Sequence, residues 1–254
     1  MASVILGSHT LSLVSLAAIA PIVGAGRVTA SDLAWGGASG VAGLAGVGLL
    51  YRGMTIGSMS VVAPLTAVMS AVIPIVVGVG IGERPGLLAS LGLMLAIPAI
   101  ALASGWTASR DAVRTHPTAA TLTALASGLG FGFALVLLDR TGGASGLWPL
   151  VMARLASASL VAAWLSRHRS QISFTSARGV ALVALVGAID VGSNVFFLLA
   201  NRHGLLALVA VLAGLYPVAT VALAMTVLRE RVTRLQVLGL VAALVAVALI
   251  SLPS

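Results

Sequence analysis

Long apolar runs, broken at short intervals by one to a few charged residues, restrict this chain more than any other feature. Nine such runs fill it, at about 2–23, 33–51, 57–81, 87–105, 118–138, 147–165, 179–199, 204–228 and 235–252. A helix rises ~1.5 Å per residue, so roughly 20 apolar residues cross the hydrocarbon core of a bilayer. The expected fold is therefore an all-α polytopic membrane protein with about nine transmembrane helices. The polar breaks are too short to hold a soluble domain. The first run has no basic stretch before it, which argues against a signal peptide.

Composition sharpens the exclusions. Apolar residues make up 59% of the chain and charged residues 8%, too few to coat a soluble particle of 254 residues, so a water-soluble enzyme is excluded. No cysteine is present, which excludes a disulfide scaffold. All 14 basic residues are arginines, and the net charge is +8. They punctuate the apolar runs instead of forming a basic face, which suits topology signals better than nucleic-acid binding. Trp35, Trp106, Trp148 and Trp164 sit near span ends, where interfacial aromatics gather. The 29 glycines suit close helix packing in lipid. Gly128, Gly130 and Gly132 imitate a nucleotide-binding pattern, but they lie inside a span and follow no strand, so they read as a packing face.

The chain repeats itself. At an offset of 147, Gly57 meets Gly204, Glu83 meets Glu230, Arg84 meets Arg231, Gly92 meets Gly239 and Ser104 meets Ser251. The Glu-Arg pair is the strongest signal, because charges are scarce here. Duplicated helical units are a transporter feature. The halves are 1–105, with four spans, and 118–252, with five; the partner of span 118–138 would precede Met1. The expected plan is an inverted repeat of five plus five helices lacking its first helix. A five-helix unit crosses the membrane an odd number of times, so the two copies insert in opposite senses.

Three segments carry a family resemblance: "YRGMTIGSMSVVAPL", "GERPGLLASLGLMLAIPAIAL" and "GLYPVATVALAMTVLRERVTRLQVLGLVAALVAVALISL". The last has a Tyr-Pro pair, a Glu-Arg turn and a Gln-x-x-Gly helix. Together they resemble EamA-type exporters of the drug/metabolite transporter superfamily. The resemblance implies ten helices around a central cavity, alternating access, no cofactor, and export of amino acids, other metabolites or drugs across the inner cell membrane. It also implies that an absent cavity-lining helix leaves a wall for a second protomer to supply. Two rivals stay open: a non-transporting membrane subunit or inactive fragment, and a passive channel. The first repeat has Ser70 where the second has Pro217, which moves its expected helix break to Pro64 or Pro74.

Few residues can carry chemistry. Five of the six acids lie near span ends, whereas Asp190 is mid-span. An acid at that depth costs roughly 2.5 kcal/mol or more and is turned to protein or to a water-lined interior. Asn194 follows four residues on, hence on the same face, and Gly187 precedes by three, leaving room for a ligand. Asp190 is thus a candidate for binding substrate or an exchangeable proton, or else a structural acid bonded to a neighbouring helix. Arg154 is the one arginine within a span; it either snorkels to the surface or pairs with a substrate carboxylate or an acid. Tyr216 and Pro217 are expected to line the path. Glu83-Arg84 and Glu230-Arg231 read as caps or loop anchors, with a gate latch implied only by the resemblance. His9, His116, His168 and His203 lack the spacing of a metal site.

Overall fold

A computed structural model describes residues 2–57, 59–103, 117–168, 177–215 and 233–252. Among them the chain forms nine α-helices and no strand: α1 (Ala2–Val23), α2 (Ala30–Ile56), α3 (Met59–Gly80), α4 (Leu87–Ala103), α5 (Pro117–Asp139), α6 (Trp148–Arg167), α7 (Ala177–Asn201), α8 (Leu206–Gly214) and α9 (Arg234–Ser251). Each apolar run overlaps one of these helices; residues 104–105 and 216–228 of two of the runs lie outside the described residues. In lipid only such self-satisfied backbone is stable. Among the described residues, five helices are long and apolar enough to span a bilayer: Ile5–Val23, Ala30–Ile56, Thr118–Asp139, Trp148–Arg167 and Ala181–Asn201. Leu65–Gly80, Leu87–Leu102 and Arg234–Ile250 are apolar but shorter. Ile22, Leu87, Met94 and Phe196 stand exposed on helix faces, as lipid-facing side chains do.

Local chemistry sets the helix ends. Pro149 opens α6, where a missing N–H costs no helical bond. Thr233 and Gln236 form a reciprocal capping box at the start of α9. Gly24 takes a left-handed φ of 76° just beyond α1, and its N–H bonds back to the Ala20 carbonyl. α3 runs unbroken through Pro64 and Pro74, so the break expected at one of them is absent. Each proline forfeits one backbone bond, and the turns on either side keep theirs.

The chain divides into two compact units, each drawing helices from both sides of residue 118. The first comprises residues 1–44 and 137–203. Here α1 packs on α6 and α7. α2 approaches α6 so closely that a Cβ at Gly36 or Gly40 would strike the backbone of Pro149 or Ala153. The second unit comprises residues 45–136 and 204–254. There α4 packs on α9 and α3 on α8, around a core rich in alanine that includes Ala67, Ala71, Ala96, Ala99, Ala207, Ala243 and Ala246. Gly128 and Gly132 bring α5 against Met69 and Ile73 of α3, the packing role read from the sequence. Hydroxyls stitch these helices: Ser127 donates to the Gly46 carbonyl at 2.7 Å and Thr66 to that of Ala124 at 3.1 Å.

Acids at the span ends tie loops together. Asp32 accepts from the Thr29 N–H (2.9 Å), the Thr29 hydroxyl (2.7 Å) and the Gly142 N–H (2.7 Å). Asp139 accepts from the Asn201 amide at 2.7 Å. Glu83, in the turn between α3 and α4, accepts the first N–H groups of α8, from Leu206 at 2.6 Å and Ala207 at 3.0 Å. Gly78 makes room for it, since a Cβ there would collide with the Glu83 carboxylate. Glu83 is thus a helix cap for α8, while Arg84 is exposed. Glu83→Ala orphans two N–H groups, and such losses cost about 1–3 kcal/mol. The thermal midpoint of the detergent-purified variant is expected to fall by several degrees, with Arg84→Ala unchanged. Equal midpoints for the two would contradict the capping role.

Candidate substrate site

Three helices of the first unit bring the mid-membrane polar residues together. The spacing along α7 puts Gly187, Asp190 and Asn194 on one face. Asn194 donates through Nδ2 to the Asp190 carbonyl at 2.7 Å and to its Oδ1 at 3.2 Å. From α6, Arg154 Nη2 reaches Asp190 Oδ2 at 2.6 Å. Of the two roles open to Arg154, this is pairing, not snorkelling. Its side chain is 13% exposed and that of Asp190 36%, so the carboxylate is the more reachable partner.

α1 completes the cluster. Ser12, fully buried, lies 3.2 Å from the Gly187 carbonyl and 3.4 Å from Asp190 Oδ2, and its hydroxyl can donate to either. One turn earlier, buried His9 places Nδ1 2.9 Å from Ser157 Oγ, and that hydroxyl donates to the Arg154 carbonyl at 3.2 Å. Sequence reasoning missed His9, Ser12 and Ser157. The available signal was their spacing: His9 and Ser12 are three apart on one helix, as are Arg154 and Ser157 on another.

Gly187 does not open space for a ligand. A Cβ there would meet the Ser8 carbonyl at 3.1 Å and the Leu11 side chain at 3.4 Å, so the missing side chain lets α1 close on α7. Glu83 and Arg84 belong to the second unit. Tyr216, Pro217, Glu230 and Arg231 lie outside the described residues.

Chemically, the cluster offers one fixed positive group, one fixed negative group, hydroxyl and amide donors, and an imidazole. Its one carboxylate, Asp190, is paired with Arg154, and its imidazole faces the Ser157 hydroxyl, so the groups present are those that pair with charged and polar partners. No curated protein matches the chain. A solved crystal structure of a protein 14% identical to it superposes with a TM-score of 0.74, over 99% of this chain and 88% of that one, and therefore has the same fold. The model of the EamA-like transporter family matches residues 118–252, more than half the chain and the stretch that supplies Arg154, Asp190 and Asn194. A multi-pass helical membrane protein with that match belongs to the EamA-like transporter family.

Proposed function

We infer that the chain exports small metabolites across the inner cell membrane by alternating access of two inverted repeats, with the Arg154–Asp190 cluster as its substrate site. The repeat reading is supported by the helix starts. Adding 147 to the starts of α2, α3 and α4 (30, 59 and 87) gives 177, 206 and 234, the starts of α7, α8 and α9. Three pairs of repeat mates also share a unit and pack together: α1 on α6, α3 on α8 and α4 on α9.

The ion pair is the observation that carries the substrate reading. Pulling either charge out of such a pair leaves the other uncompensated at low dielectric, which costs several kcal/mol. A zwitterion avoids that cost: its carboxylate takes Arg154 while its ammonium takes Asp190, with Asn194 and Ser12 as neighbours. An amino acid or similar metabolite is thus the best-matched substrate. Purified protein in proteoliposomes, offered a mixture of radiolabelled L-amino acids, is expected to show saturable flux that responds to a pH gradient. Asp190→Asn is expected to lower it at least tenfold. Linear flux would make the chain a passive channel. A stable fold with no flux, or unchanged flux in Asp190→Asn, would overturn the reading.

A further inference from the structure

We propose that His9 is the proton-accepting group of this cluster, and that protonation at its Nε2 loosens the Arg154–Asp190 pair. The inference rests on the substrate reading of that pair but is carried by α1, which that reading uses only through Ser12.

The argument begins with a hydroxyl. Ser157 has one proton to give, and its Oγ directs it to the Arg154 carbonyl at 3.2 Å. The contact between Ser157 Oγ and His9 Nδ1, at 2.9 Å, then runs the other way, with Nδ1–H donating to Oγ. With the Ser157 proton placed there, neutral His9 is the Nδ1–H tautomer and Nε2 carries the free lone pair; a Ser157 hydroxyl turned to Nδ1 would give the other tautomer. No described residue donates to Nε2, nor is it a buried atom left without a partner. A proton can add there without breaking a protein hydrogen bond.

The surroundings give that proton a consequence. α1 carries no other titratable side chain and packs on α6 and α7. From α6 the charged group acting on His9 is Arg154, and from α7 it is Asp190. Arg167 and His168 stand at the far end of α6, exposed. An imidazolium at position 9 repels the guanidinium and competes for the carboxylate. Both effects weaken the pair at once, because at close range and reduced dielectric a unit charge acts strongly. Acidity on one side of the membrane would thereby favour the opened site, and loss of the proton would favour the closed one. The reaction is a proton transfer from hydronium to Nε2, which leaves water, and no electron or further group moves.

One measurement requires no substrate. Full-length protein with 15N-labelled histidine, in nanodiscs, is titrated by NMR, and His9→Gln identifies the His9 signals. The expected result is the Nδ1–H tautomer at high pH, turning to the doubly protonated ring on acidification. An Nε2–H tautomer, or a ring that stays neutral down to about pH 4, overturns the proposal. The second measurement is the pH profile of amino-acid flux. Wild type is expected to follow a one-proton curve, up to about tenfold per pH unit on its steep limb. Whatever flux His9→Gln retains is expected to vary less than about twofold over the same range, because the imidazole is gone. A variant with the wild-type profile overturns the proposal and leaves the Asp190 reading intact. Unchanged flux in Asp190→Asn would instead remove the substrate reading, while the NMR result would still decide the tautomer and protonation of His9.

Discussion

Arg154→Ala and Asp190→Ala are each expected to yield little folded protein, whereas Arg154→Asp combined with Asp190→Arg restores a substantial part of it. The two groups meet at 2.6 Å inside membrane-spanning helices. Losing one leaves a charge that costs about 3–5 kcal/mol when it is buried and unpaired. Whole domains are stable by only ~5–15 kcal/mol. The check is the monodisperse fraction of detergent-extracted protein, with thermal midpoints for what survives. Losses that simply add in the swapped variant would mean that the contact contributes no coupling. The swap also separates a structural pair from a substrate site. Asn194 donates to position 190 through Nδ2, and Ser12 offers its hydroxyl there, so both suit an acceptor at that position. With arginine at 190 those donors face a cation, and α6 presents the carboxylate without them. Folding is therefore expected to recover while transport does not. Recovery of both together would reduce the pair to a brace.

The same contrast explains how much could be read beforehand. Lipid admits few backbone solutions, so where the apolar runs are described each holds a helix, and the arginines, prolines and acids between runs marked the ends. Asp190 and Arg154 were legible because a charge in an apolar run is costly enough to need a reason. Asn194 followed from helical spacing. His9, Ser12 and Ser157 were not legible in that way. Small polar residues are common in membrane helices, and only the meeting of α1 with α6 and α7 gives these three a shared address. Gly187 misled for a related reason: a missing side chain signals space, but sequence does not say whether a ligand or another helix fills it. Glu83 was legible as a cap, yet the helix it caps begins more than 120 residues later.

Gly40→Leu is expected to abolish folding, while Gly37→Ala three residues earlier leaves it intact or slightly improved. Both glycines lie in α2, both are one substitution from an ordinary helix former, and helix propensity alone would favour filling either by up to about 1 kcal/mol. What separates them is the neighbour. A Cβ at Gly37 meets nothing within 4 Å, whereas one at Gly40 runs into the Ala153 backbone, as one at Gly36 does into that of Pro149. Backbone cannot rotate aside as a flexible side chain can, so α2 and α6 would have to separate. Without water to drive apolar faces together, such helices associate through close van der Waals contact, which small residues four apart make possible. Separation would forfeit that contact along the crossing and displace Ala153, the residue before Arg154. Overpacking of this kind costs ~3 kcal/mol or more when the backbone itself must shift. Expression as monodisperse protein is the readout, with Gly40→Ala as the graded intermediate. A well-folded Gly40→Leu would show that α2 and α6 do not meet through Gly40, and would remove the support that this contact gives to the placement of Arg154.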